Sequence, residues 1–497
     1  MSEIVTSFRL IFPLVITLVA PLLIWLLGKE PNKREAVSFG AAILTFFSVL
    51  ALFPPVFSGK ILVLQLFHIL PGIDVKLCAD GLTLIFAFVA SFLWILATSY
   101  NIGYMRSLNE HAQTRYYFCF AVAIFGALGV AMSANIFTLY LFYEIITIFT
   151  YPLVAHHQDK AGYDGARKYI VYLMGTSKLF LLPAMILTYI LAGTLDFHLG
   201  DMTQGIFPAN ADPTLVTITY VLYILGIAKA AIMPFHNWLP SAMVAPTPVS
   251  ALLHAVAVVK AGVFSVSRII LSGFGVDLMD KLSLGIPLAY VAAFTIVVAS
   301  IIAMTKDDLK ARLAYSTVSQ LSYIIIGVAM LTPVAVQGGL MHIANHAFSK
   351  ITLFFAAGAV FVSCNLRSIR LMSGIGRKMP WTFGAFAVAS LSMIGIPPVC
   401  GFVTKWFLIN GTMQIHQTIL LVCLLASTLL NAAYFVPVIY KAFFGTPVHA
   451  ELPFDYEAVK EAPLTMIIPL CITATISVVL GFYPDPIIHM IQLFRGI

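Results

Sequence analysis

Residues 339–362 read GLMHIANHAFSKITLFFAAGAVFV, an apolar run that carries three titratable side chains, His342, His346 and Lys350. About 20 apolar residues suffice for a helix to cross the hydrocarbon core of a bilayer, so the run is predicted to be a membrane span. Residues four apart fall on one face of a helix, and the three groups therefore form a row. An ionisable group at bilayer depth is costly unless it faces protein or water, which makes it by default a functional candidate. A fortuitous polar stripe, or histidines used for helix packing, would account for one such residue far better than for three in register. The pattern is that of a proton path.

The rest of the chain has the same character. Of 497 residues, 60% are hydrophobic and only 10% charged, and the mean hydropathy is +0.97. No soluble domain has this composition. Cys78, Cys119, Cys364, Cys400, Cys423 and Cys471 stand singly, without the paired spacing of a zinc site, an iron–sulfur cluster or a disulfide framework. No metal or cofactor site is expected. The net charge of +7 requires no nucleic acid, since membrane proteins keep Lys and Arg in cytoplasmic loops.

Apolar windows fall near 8–27, 36–56, 79–103, 116–133, 135–155, 168–192, 214–231, 247–272, 284–303, 311–331, 337–362, 382–409, 418–440 and 464–482. They predict an all-α integral membrane protein of about fourteen spans. The first window resembles a secretory signal, because Arg9 precedes it. Its length, and the Lys29, Glu30, Lys33 and Arg34 that follow in place of a small-residue cleavage site, make it a retained helix. Basic residues then concentrate in the odd-numbered connections: Lys29, Lys33, Arg34; Arg106, Arg115; Lys160, Arg167, Lys168; Lys306, Lys310, Arg312; Arg367, Arg370, Arg377, Lys378; and Lys441. Even-numbered connections hold only Lys60, Lys76 and Lys281. The positive-inside rule places the odd loops in the cytoplasm and both termini on the other side.

Two spans are predicted to break. One runs Met233-Pro234-Phe235-His236-Asn237-Trp238-Leu239-Pro240 and then Pro246-Thr247-Pro248; the other passes through Gly395-Ile396-Pro397-Pro398 and Gly401. Proline removes a helical hydrogen bond and restricts the preceding residue. In lipid the freed backbone groups are tolerated only against protein or a wet cavity. Two breaks roughly five spans apart are the pattern of repeated transporters with sites near the midplane. The expected organisation is helices 1–3 over residues 1–115, a first five-helix repeat over 116–272, a second over 273–441 inverted relative to it, and a last helix with a short tail over 442–497.

Further charges fall inside apolar sequence: Glu144 in window five, Lys229 just before the first break, His254 and Lys260 in window eight, and Lys405 at the second break. Two unit charges about 5 Å apart attract by about 3 kcal/mol at an effective dielectric near 20. Pairing favours charge and separation favours neutrality, so a movable Glu144–Lys229 contact could make the lysine take up or release a proton. Snorkelling to an interface suits Lys229 and Lys405 poorly, since apolar sequence flanks both; for Lys260 the two readings are balanced.

The stretch from Gly226 to Gly262, GIAKAAIMPFHNWLPSAMVAPTPVSALLHAVAVVKAG, resembles the signature of the antiporter-like membrane subunits of respiratory complex I, membrane-bound hydrogenases and Mrp-type cation/proton antiporters. Tyr143-Glu144, the HIANHAFSK run from His342 and GFVTK at 401–405 extend the resemblance over most of windows four to thirteen. It implies a fourteen-helix fold with inverted repeats, a Glu144–Lys229 gating pair, a central hydrated relay of His254, His342 and His346, and Lys405 as terminal protonatable residue. Lysine at 405 is unlike the complex I subunit with glutamate there. The chain also runs only about 15 residues past its last window, so the lateral helix of another complex I type is not expected. The D-type subunit of the Mrp antiporters, or a relative in a redox-driven complex, is the expected kin. Lys178 in window six and His236 in the first break are further candidate relay groups, Lys178 either as a link or as a partner of Glu144.

No glycine-rich dinucleotide turn and no clustered cysteine ligands support redox chemistry in this chain. The expectation is a transporter subunit in a prokaryotic cell membrane, whose partners are other membrane subunits, protons and the bilayer, with Na+ as a candidate cargo. Two readings stay open: a subunit of a cation/proton antiporter, and the proton-pumping subunit of a redox-driven complex. A single-chain carrier of an organic solute lacks any pocket signature and does not explain the row of proton-type groups. Only Glu144 and a few carbonyls would suit a metal cation as cargo.

Overall fold

The computed structural model describes residues 3–447 and 454–494, with the side chains at 253 and 254 excepted. Helices dominate: α1 (Ile11–Leu26), α2 (Pro31–Leu50), α3 (Gly81–Ser107), α4 (Gln113–Ala131), α5 (Ile136–Val154), α6 (Lys160–Ala192), α7 (Pro213–Gly226), α8 (Val258–Arg268), α9 (Gly285–Thr305), α10 (Leu309–Ala329), α11 (Pro333–Cys364), α12 (Pro380–Ile394), α13 (Cys400–Gln414), α14 (Thr418–Phe444), α15 (Leu464–Phe482) and α16 (Asp485–Gln492). Among the described residues ten helices are long and apolar enough to cross a membrane by themselves, and α7 and α12 are shorter apolar helices. Helix α10 is long but carries Ser316, Thr317, Ser319, Gln320 and Ser322, all buried.

Capping sets many of the starts. Asp80, Asn135, Asp159, Asp212 and Asp308 each accept a hydrogen bond from a first-turn backbone N–H of the helix that follows. Helices α3 and α11 are buried along most of their length, whereas α1, α14 and α15 present large apolar side chains such as Phe12, Trp25, Leu429, Val436 and Val479 outward. The first group is enclosed by protein and the second faces lipid.

The all-α expectation omits a small sheet. Strands β1 (Glu3–Thr6), β2 (Lys60–Leu70) and β3 (Ile73–Ala79) lie in the order 1-2-3, β1 parallel to β2 and β2 antiparallel to β3. The β2–β3 alternation sits beside apolar windows, which hides it in a hydropathy reading.

Connections sort by parity. The Arg34 guanidinium donates to Thr114 and Gln113, Arg115 donates to the His156 carbonyl, Lys310 to the Ala245 carbonyl, and the Gly374 N–H to the Lys441 carbonyl. All of these join odd connections. On the even side Lys76 pairs with Asp196, Asn135 donates to the Asp74 carbonyl, the His198 N–H to the Ser272 carbonyl, and α16 packs on the start of α3. The two sets of loops form two separate faces.

Both predicted breaks are present. After α7 the chain makes a single turn at Ala228–Ala230, then short helical turns at Trp238–Ser241, Ala242–Val244 and Thr247–Ala251, before a π-helical turn, Leu252–Val256, leads into α8. The second break separates α12 from α13, with Gly395 in the left-handed region at φ +87°. The freed backbone groups find protein partners, as an apolar surround demands. Trp238 Nε1 donates to the Ala228 carbonyl at 3.0 Å, and the Met233 N–H donates to Thr295 Oγ1 at 3.3 Å. Across the second break the Gly401 N–H donates to Ser392 Oγ at 3.1 Å, and Asn345 Nδ2 donates to the Cys400 carbonyl at 3.0 Å.

Candidate functional site

Glu144 lies midway along α5 and is 8% exposed. Its two carboxylate oxygens make no hydrogen bond, and its nearest cation is Lys178, with Nζ 3.5 Å from Oε2. A π-helical turn over Ser177–Leu181 interrupts α6 at that lysine. Lys178 Nζ also donates to the Tyr140 hydroxyl at 2.5 Å, one turn before Glu144.

Lys229 is fully buried in the turn after α7. Its Nζ donates to the Tyr143 carbonyl at 2.7 Å and to Thr147 Oγ1 at 2.6 Å, and it lies 3.1 Å from the centre of the Tyr143 ring. The expected Glu144–Lys229 pair is therefore not made in this conformation: each residue holds another partner, and both sit on or against the same turn of α5. Gly262 permits the neighbouring close approach, because a Cβ there would meet Lys229 backbone atoms at 2.3 Å. Helix α8 rests directly on the Lys229 turn.

Two residues further back on α8, Lys260 is fully buried, and its Nζ stands 2.7 Å from His346 Nδ1 on α11. One helical turn earlier, His342 places Nε2 3.0 Å from Gln320 Oε1 of α10 and Nδ1 3.0 Å from Thr404 Oγ1 of α13. The His342 and His346 ring centres are 5.8 Å apart. Thr404 precedes Lys405, whose Nζ donates to the carbonyls of Met393 at 3.2 Å and Ile394 at 2.6 Å and to Thr428 Oγ1 at 3.2 Å. These carbonyls are among those released at the end of α12, so the lysine side chain closes the second break.

Not every predicted member joins this line. Lys350 is buried on α11 as expected, but it turns to Ser316 Oγ on α10 at 2.8 Å and not along its own helix. His236 lies in the first break against Tyr315, ring centres 6.3 Å apart, with no contact to the row. His254 belongs to the π-helical turn Leu252–Val256, and its side chain is outside the described residues.

Thr147, Gln320, Ser316, Thr404 and Thr428 are polar links that sequence reading passed over. Their signal, hydroxyl and amide residues on otherwise apolar helices, is too common to stand out. A second omission is Arg268, fully buried at the end of α8, which donates to both Asp80 carboxylate oxygens at 2.5 and 2.9 Å and to Thr83 Oγ1 at 3.0 Å. This pair ties α8 to the N-terminal cap of α3. A run of lysines and histidines drew attention away from an arginine near a window edge.

The chain has known relatives in sequence and in fold. Residues 133–431 match the family described as NADH:quinone oxidoreductase/Mrp antiporter, TM. The chain is 32% identical over 428 residues to NADH-quinone oxidoreductase subunit N of Desulforudis audaxviator, covering 84% of each chain. It is 30% identical over 503 residues to Na(+)/H(+) antiporter subunit A1 of Staphylococcus aureus, a protein of which it spans 60%. In three dimensions it superposes on a chain of the Mrp complex from a Dietzia species with a TM-score of 0.86 at 20% identity, covering 98% of this chain and 96% of that one. A chain of an archaeal membrane-bound sulfane sulfur reductase gives the same TM-score at 24% identity.

Proposed function

Since the chain belongs to the NADH:quinone oxidoreductase/Mrp antiporter transmembrane family, we propose that it moves protons across a prokaryotic cell membrane as one subunit of a multisubunit cation/proton antiporter. The observation that carries this reading is the buried polar line from Lys260 through His346 and His342 to Thr404 and Lys405. Each member can hold or pass a proton, and lysine and histidine do so by titration. One water between the imidazoles would bridge the 5.8 Å between their centres.

Glu144 and Lys229 form the entry switch. In the conformation described the lysine rests on Thr147 and the carboxylate rests by Lys178. A rotamer change on either side would bring the two charges together, and the Coulomb gain favours the charged lysine. Windows four to eight and nine to thirteen act as two inverted repeats of a fourteen-span bundle, each with its own break and buried lysine. The parity sorting of the loops, joined to their charge bias, supports cytoplasmic odd loops and outer termini. Lys350 and His236 are side branches, and within an Mrp-type assembly the chain takes the place of the D-type subunit.

The decisive experiment uses the intact complex in inside-out vesicles with an imposed proton gradient. Na+ addition collapses the gradient when this chain is present and does not when it is deleted. A second reading, the pumping subunit of a redox-driven complex, is favoured by the subunit N relative, of which the chain covers 84% rather than 60%. In that case an electron donor, and not Na+, would drive acidification of the same vesicles.

A further inference from the structure

Away from the buried row, the α3–α4 and α5–α6 connections meet. Glu110 and His111 come from the first, His156 and His157 from the second. Glu110 Oε2 lies 4.0 Å from His111 Nδ1, 3.6 Å from His156 Nε2 and 3.7 Å from His157 Nδ1. The donor atoms of Glu110, His111 and His157 lie within 4.8 Å of one another. The His111 and His156 ring centres are 4.8 Å apart, and those of His156 and His157 are 5.5 Å apart.

His156 singles this cluster out. Its side chain is completely buried, yet neither ring nitrogen has a partner within 3.5 Å, the Glu110 carboxylate standing 3.6 Å from Nε2. A buried imidazole without hydrogen bonds is a cost that proteins ordinarily avoid. Its backbone carbonyl is held by Arg115 Nη2 at 2.9 Å and its ring lies edge-on to Tyr116, so it is fixed in place against the Glu110 carboxylate.

We propose that Glu110, His111, His156 and His157 form a binding site for a divalent transition metal of the Zn2+ class, linking the two connections. Three imidazoles and one carboxylate are a donor set suited to Zn2+. Zinc–nitrogen and zinc–oxygen distances near 2.0–2.2 Å place tetrahedral donors about 3.4 Å apart. The Glu110 contacts, at 3.6 to 4.0 Å, are longer than that value by about 0.2 to 0.6 Å, so ion binding would draw the donors inward. The ion would give His156 a direct bond in place of its 3.6 Å contact with the carboxylate, and give the carboxylate a cation. The site lies outside the membrane-spanning segments, on the face of the odd-numbered loops, and takes no part in the relay.

The test uses the full chain, purified without a histidine tag and stripped by chelator, titrated with Zn2+ in a calorimeter and with Co2+ in a spectrophotometer. The expected result is one Zn2+ per chain and a tetrahedral Co2+ absorption band. His157→Ala and His111→Ala should each weaken Zn2+ binding by about 100-fold or more, the upper scale reached when even an outer-shell partner is lost. Both positions are partly exposed, so the variants fold; an unchanged elution profile and helical spectrum verify this. His416→Ala, on the opposite set of loops, should leave binding unchanged. Absence of Zn2+ binding in the micromolar range, or binding that survives His157→Ala in the folded variant, overturns the proposal.

Discussion

Lys229 gives its ammonium hydrogens to the Tyr143 carbonyl, at 2.7 Å, and not to the carboxylate of the very next residue. The two possible partners are adjacent in sequence and lie on the same turn of α5. Glu144→Gln and Lys229→Ala each remove one half of this choice, and each is expected to lower proton-coupled transport by about 100-fold or more, the lower end of what a positioned proton-transfer group contributes. Flux per inserted protein in inside-out vesicles is the measurement, and wild-type flux in Lys229→Ala would remove the lysine from the mechanism.

Lys178 distinguishes a resting partner from a working link. Its side chain is 47% exposed, against 10% for Glu144, on a helix that also shows Val171, Leu179 and Ile186 outward, so it stands at the rim of the bundle and outside the buried row. Lys178→Met is therefore expected to keep flux within about fivefold of wild type. A variant as inactive as Glu144→Gln would instead make Lys178 an obligatory relay group.

His346 tests the middle of the line. Alanine cannot accept or release a proton, and glutamine keeps a hydrogen bond to Lys260 without titrating. Both variants are expected to lose most of the flux at normal abundance, with Gln little better than Ala. Full activity in His346→Gln would mean that the histidine serves packing alone.

The Arg268–Asp80 pair predicts stability rather than transport. Removing one partner of a buried pair leaves an uncompensated charge and costs about 3–5 kcal/mol. Arg268→Met should accordingly lower the melting temperature and the yield in detergent, and Asp80→Asn combined with Arg268→Met should recover much of the loss. Equal destabilisation by the double variant would show that the arginine contributes by something other than its charge.

Orientation is open to labelling. Lys33 and Arg377 are exposed on odd connections and Asn210 on an even one. Cysteines at the first two positions are expected to react with an impermeant maleimide only from the cytoplasmic side, and at Asn210 only from outside. Reaction of all three from one side would contradict an alternating topology. Gly376 and Gly205 are unsuited to the same experiment, because a side chain at either would meet backbone oxygens at 2.8 and 2.0 Å.

Much of the architecture was legible because hydropathy and proline speak to the bilayer directly. The windows fall on helices, and the two breaks lie where Pro234, Pro240, Pro397 and Gly395 place them. The β2–β3 pairing was not legible, since alternation beside apolar windows is faint. The buried titratable residues could be named from their depth alone, and Lys178 could be named as a candidate partner of Glu144, but that Lys350 turns to Ser316, or Lys229 to Thr147, depends on which helix faces come together. The His156 cluster was invisible for the same reason, because its four members come from two connections that only the folded bundle brings side by side.

Lys405 fills three acceptors, the carbonyls of Met393 and Ile394 and the hydroxyl oxygen of Thr428. An ammonium has three hydrogens and no lone pair, so the match is complete only in the charged form. Release of a proton leaves two hydrogens for the two carbonyls and a lone pair that the Thr428 hydroxyl can meet only by turning its hydrogen away from the Leu424 carbonyl. In the proposed relay, each proton that passes Lys405 would therefore re-sort the hydrogen bonds that close the end of α12.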